Sequence, residues 1–182
     1  MPFTPYHFGP GLFIGLLFLS FIDFPTFLIA NVIVDIEPFL VLSFNLNYPL
    51  HGFFHSFIGG TIIAFILTLV MTKIREFFTP IMSFFKIKQE ISFKKILLAS
   101  LLGIYIHILL DTPIYTDIRP FFPLEFNPFY RTTTLPGLLE SMICIWCLLA
   151  GIIVYIIRLI IFVLKNRKKS HNSNKHNKIN LK

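Results

Sequence analysis

The sequence predicts an all-α fold: a polytopic membrane bundle of about four to five helices whose first hairpin is short or re-entrant. Two measures of composition point there. Hydrophobic residues fill 55% of the 182 positions and charged ones only 14%, well below the share with which a soluble domain covers its surface. Mean hydropathy is +0.75. The arrangement agrees, since the apolar residues lie in long runs separated by short polar or basic loops, as in a chain whose solvent is a bilayer.

A first apolar segment (about 10–22) meets a second (about 25–44) at the corner Asp23-Phe24-Pro25. Asp23 suits an N-cap there and Pro25 a first helical turn. At 1.5 Å per residue the first segment reaches roughly 20 Å, short of a hydrocarbon core of about 30 Å, hence the re-entrant or tilted hairpin. Further spans are expected at about 55–72, 96–111 and 137–164, the last entered through Thr134-Leu135-Pro136. The last is long enough to cross with tilt while Arg158 snorkels toward the basic end. Residues 1–164 then form one membrane-embedded domain, and 165–182 a basic, disordered, cytoplasmic tail. The opening Met-Pro-Phe-Thr-Pro-Tyr-His has neither the basic start nor the A-x-A site of a signal peptide, so it is expected to belong to the mature chain.

The formal charge is +7, concentrated in 73–95 and the tail. Basic loops beside apolar spans set orientation, so no nucleic-acid partner is expected and the natural partners are membrane lipids. Lys73, Arg75, Lys86, Lys88, Lys94 and Lys95 assign their loop to the cytoplasm, and Lys165, Arg167, Lys168 and Lys169 assign the tail there too. Segments 45–54 and 112–136 then lie outside. Cys144 and Cys147 have redox-motif spacing but sit in an apolar span, where packing is the plainer reading.

Ionisable residues at the ends of apolar spans are costly and need an account. His7 precedes the first segment, Asp35 and Glu37 interrupt the second, His51 and His55 head the third, and His107 and Asp111 close the fourth. By the loop-charge orientation all lie toward the outer face. With Pro49 starting a helix, His51 and His55 share a face at i, i+4, and His107 and Asp111 repeat that geometry. Two such clips offer the imidazole and carboxylate mixture that Zn²⁺ accepts, with Mn²⁺ the alternative ion. Pro38 is expected to break the helix at Glu37 and turn that acid inward. Taken singly, each motif has a blander reading as a packed histidine, a polar break or a helix-start residue; their meeting on one face favours a metal cluster. Arg119 is a candidate phosphate contact in a Pro- and aromatic-rich loop, or else an interfacial arginine. Glu140 lies near the outer end of the fifth span, and His171 and His176 read as solvated tail residues.

These motifs resemble, in order and rough spacing, the LexA-binding, inner-membrane-associated metal-dependent hydrolases. The matching positions are His7, V-D-I-E-P at 34–38, H-G-F-F-H-S at 51–56 and H-I-L-L-D at 107–111. Val34, Glu37, Gly52 and Phe54 depart from the family's Pro, Asp, Arg and Thr, and Phe121-Phe122-Pro123 stands where a tryptophan-bearing stretch is usual. The resemblance implies phosphoester hydrolysis. The expected function is a membrane-bound, metal-dependent hydrolase acting on a lipid-like phosphoester at the outer interface. His7, Asp35, His51, His55, His107 and Asp111 are its candidate ligands, Glu37 its candidate general base with Asp35 as a second catalytic carboxylate, and Arg119 its substrate contact. The alternative is a metal-stabilised scaffold or a metal- or proton-handling protein.

Overall fold

A computed structural model of the chain describes residues 4–132, 135 and 137–179. Its α-helices are α1 (Phe8–Leu17), α2 (Phe24–Ala30), α3 (Ile36–Ser43), α4 (Phe57–Ile74), α5 (Thr79–Phe84), α6 (Phe93–Asp111) and α7 (Leu138–Ile179), and the described residues contain no strand. Run together across short interruptions, they make four helical rods long and apolar enough to cross a membrane: Phe24–Ser43, Phe57–Phe84, Phe93–Asp111 and Leu138–Lys168. α1, which counts as the first rod and makes these the second to fifth, is a shorter apolar helix of 10 residues, about 15 Å at the usual rise and too short to span.

Local chemistry explains most boundaries. Asp23 caps α2 by accepting from the Thr26 amide, and Pro25 occupies the first turn. Ser56 caps α4, accepting from the Gly59 amide at 3.0 Å while donating to the Phe53 carbonyl. The second rod breaks earlier than expected, around Asn31, and a 3-10 turn at Ile33–Asp35 follows. Glu37 is helical, because Pro38 falls in the first turn of α3, where a missing N–H costs nothing. The third rod corrects the predicted His51–His55 helix. His51 lies in a loop, His55 ends a 3-10 turn (Phe53–His55), and regular helix starts only at Phe57. The fifth rod, α7, continues to Ile179, so the backbone of 165–179 is helical where composition suggested a disordered tail. The side chains of His171 and His176, and residues 134 and 136 of the expected helix start, lie outside the described residues.

α6 is the hub, packed against α2 on one side and α4 on the other, while α1 leans on α7 and α2. Small residues allow these approaches. A β-carbon on Gly103 would lie 2.5 Å from that of Ala30, and one on Gly9 would meet the Cys144 carbonyl oxygen of α7. The apolar core between α2, α4 and α6 includes Ala30, Val34, Ala64, Leu67, Ile104 and Ile108. Where α2 begins, Arg75 reaches from the end of α4 to the buried Asp23 carboxylate. Gln89 joins the same end, donating to the Leu19 and Ile22 carbonyls and accepting from the Phe24 amide.

Candidate metal centre

At the opposite end of α6 the chain buries a set of histidines and acids. His107 and Asp111 project from its last turns, one helical turn apart. Asp35 comes from the 3-10 turn that follows the break in the second rod, and His55 from the 3-10 turn before α4. One donor atom from each of Asp35, His55, His107 and Asp111 lies within 4.8 Å of every other. Asp35 Oδ1 sits 3.3 Å from His107 Nε2 and 4.0 Å from His55 Nε2, and Asp111 Oδ2 is 3.5 Å from His107 Nε2. Ligands at the corners of a tetrahedral zinc site stand about 3.4 Å apart. The edges to His107 match that spacing, and the His55 edge is slightly open.

The tautomers sharpen the picture. His107 Nδ1 lies 2.8 Å from the Asn31 carbonyl oxygen, which can only accept, so Nδ1 carries the proton. His55 Nδ1 lies 2.8 Å from Glu37 Oε2 and donates for the same reason. In the neutral rings, both Nε2 atoms therefore point lone pairs toward carboxylate oxygens. Both are buried and have no hydrogen-bond partner among the described atoms. Lone pairs facing carboxylates in so buried a site repel unless a proton or a metal ion lies between them. An imidazole whose far nitrogen donates to a carbonyl or carboxylate is the usual arrangement of a metal-ligating histidine. Burial is the largest influence on His55 and, with His107 and His51, outweighs the pull of Glu37, holding its pKa below 6.5 and the ring neutral.

The remaining predicted residues take distinct places. His7 is beside the cluster: its Nε2 is 3.2 Å from Asp111 Oδ1, and its ring is 4.2 Å from that of His107. His51 is one ring further out, 4.8 Å from His55, with its Nδ1 on Asp117 at 3.1 Å. Glu37 holds neighbours in place. Besides His55 it accepts the Gly52 amide at 3.0 Å and the Phe54 amide at 3.1 Å, so both its oxygens are engaged. Arg119 pairs with Glu125 at 2.9 Å, and Arg131 approaches Glu140 at 3.9 Å, so neither guanidinium neutralises Asp35 or Glu37.

Two contributors escaped the sequence reading. The Asn31 carbonyl is released by the break in the second rod and orients His107. Asp117 accepts from both the amide and the ring of His51. Burial raises its pKa, but these His51 hydrogen bonds outweigh it and hold the carboxyl below its usual range. Its position six residues beyond the H-x-x-x-D motif was the available signal. His51, Asp117, Arg119, Tyr48 and Phe122 line a cleft of about 470 Å³ next to the cluster. The ordered loop over this end is pinned by the Pro120 carbonyl, which accepts from the Phe57 amide, and by Ile118, which is fully buried.

The chain matches no family model, no curated protein and no solved structure.

Proposed function

We propose that the chain is a membrane-embedded, metal-dependent hydrolase that cleaves a phosphoester, most simply a lipid head group, at the extracytoplasmic interface. The observation that carries the proposal is the convergence of two buried imidazole Nε2 atoms on the carboxylates of Asp35 and Asp111. Asp35, His55, His107 and Asp111 would hold the ion, with His7 completing the set from the 3-10 turn that leads into α1. Zn²⁺ suits this donor mixture best, and Mn²⁺ is the alternative. When bound, such an ion supplies Lewis-acid chemistry and acidifies a water toward neutrality.

The protein's own groups do the rest. Asn31 and Glu37 fix the two ring tautomers. His51, polarised by Asp117, faces the cleft and is placed to take a proton from water or give one to a leaving oxygen. Arg119 at the cleft mouth suits a phosphate oxygen, provided it releases Glu125. The loop charges support an outward-facing site, because Lys86, Lys88, Lys94 and Lys95 lie toward the other end of α6. The resemblance to inner-membrane-associated metal-dependent hydrolases agrees with this chemistry.

One feature favours a second reading, a metal-stabilised scaffold. Four donors suffice to close a tetrahedral site, and only Asp35 among them keeps appreciable exposure, 17%. Metal analysis of detergent-purified protein, together with a phosphoester panel run with and without chelator, separates the readings. The hydrolase reading expects about one tightly held ion or more, lost in Asp35→Asn and His107→Gln, and turnover that chelator abolishes. Bound metal with no turnover on any phosphoester supports the scaffold. Wild-type protein that takes up no metal would sink both.

A further inference from the structure

Far from the histidines, where α1 ends and α6 begins, the surface opens into a second and larger cavity of about 840 Å³. Five cations line it: Lys86, Lys88 and Lys95 from the segment before and into α6, and Arg158 and Lys165 from α7. Among the described residues, Glu90 is the only acid on its wall. None of the five cations makes an ion pair within 4.0 Å among the described residues, although they are gathered around one concavity. Uncompensated like charges repel, and a basic surface of this kind is relieved by an anion.

The rest of the wall is greasy. Val154, Ile157 and Ile161 form a stripe along α7 that rises from Lys165 toward the middle of the helix. α7 is the most lipid-facing rod of the molecule, with only 6% of its apolar window buried. A ligand that satisfied this surface would need a negative head at the level of the lysines and an apolar chain running up α7. The backbone shaping the head end is well fixed. Gln89 ties its loop to the Leu19 and Ile22 carbonyls and the Phe24 amide, and Lys86 sits at φ 59 in the left-handed region.

From these features we infer that this cavity is a binding site for an anionic phospholipid, with the phosphate held by Lys86, Lys88, Lys95, Arg158 and Lys165 and one acyl chain lying on Val154, Ile157 and Ile161. Basic pockets between membrane helices recognise acidic lipid heads in this way. The site is independent of the metal centre, which occupies the other ends of α1 and α6.

Native mass spectrometry of the full chain in mild detergent, titrated with phosphatidylglycerol or phosphatidylcholine, tests the inference. Wild type should hold one phosphatidylglycerol at least tenfold more tightly than phosphatidylcholine. Each lysine or arginine near an anionic lipid contributes roughly fivefold, so K88A/R158A/K165A should weaken phosphatidylglycerol on the order of a hundredfold. K73A/K94A removes two cations that do not line the cavity and should change little. I161W, which fills the acyl wall and keeps every charge, should weaken the lipid while leaving the fold's thermal midpoint in place. Equal affinity for the two lipids, an equal loss in K73A/K94A, or displacement of the lipid by millimolar inorganic phosphate would each overturn the assignment, the last by pointing to free phosphate as the ligand.

Discussion

Replacing Glu37 by glutamine separates two roles for this acid. As a base acting on water, its loss would abolish turnover and spare metal binding. As the group that holds His55 and the 52–54 backbone, its loss should weaken the ion. Oε2 takes two donors, His55 Nδ1 at 2.8 Å and the Gly52 amide at 3.0 Å, while Oε1 takes only the Phe54 amide at 3.1 Å. A glutamine therefore does best with its oxygen toward His55 and its NH₂ against Phe54, keeping two neutral bonds and setting one donor against another. Hydrogen bonds to a charged group are worth about 1.5–3 kcal/mol, and neutral ones about 1 kcal/mol. The net loss at His55 and Phe54 is then about 1–3 kcal/mol, in line with the 10–100-fold drop in affinity, roughly, that accompanies loss of a ligand's supporting carboxylate. Competition against a chromophoric zinc chelator measures this directly. Wild-type zinc affinity in Glu37→Gln, with hydrolysis gone, would refute the positioning role and return Glu37 to the base.

Further outcomes follow from other contacts. Asp117→Asn should lower kcat about 10–100-fold with metal content unchanged, because its carboxylate is hydrogen-bonded to His51; metal lost in parallel would move His51 into the ligand set. Arg75→Met strands the buried Asp23 carboxylate and should cost about 3–5 kcal/mol, while D23N/R75M recovers most of it. Thermal midpoints in detergent read both, and an additive double variant would contradict the pairing. For acid sensitivity, burial first of all keeps His55 below 6.5 in the folded chain, so between that value and 6.5 the unfolded chain binds a proton that the folded one does not. The His55 contribution is thus complete above about pH 6.5 and shrinks as the pH falls. The gap in melting temperature between metal-stripped wild type and His55→Asn should therefore narrow from pH 7.5 to 5.5, and a gap that widens contradicts the sign. Gly103→Val should push α2 off α6, at about 1–3 kcal/mol, and loosen zinc by displacing the Asn31 carbonyl from His107.

How much was legible depended on how local each residue's surroundings are. The helical bundle followed from composition and run length, because a chain this apolar has few other ways to satisfy its backbone. His107 and Asp111 were readable as a pair since a regular helix fixes i, i+4 geometry. His51 and His55 were not, because Gly52 and the Ser56 cap interrupt the helix and the 3-10 turn between them is held by tertiary contacts: Glu37 from below, and the Tyr48 hydroxyl, which accepts the Phe53 amide. Glu37 looked like a spare acid because its partners are backbone amides of a loop that no pattern places beside it. The Asn31 carbonyl carries no side-chain signature at all. Arg75 read as a loop charge, but α4 runs to Ile74 and a 3-10 turn follows without a loop, which carries Arg75 to Asp23.

The lean of α1 on α7 has a consequence for how the protein is made. His7 is held near Asp111 by a helix too short to anchor itself, whose close fit is Gly9 against the Cys144 backbone. During synthesis, Asp35, His55, His107 and Asp111 can all be inserted and assembled while α7 is still inside the ribosome. His7, translated before any of them, is secured only when α7 arrives. The four donors can therefore gather before α7 is in place, and His7 joins them only afterwards.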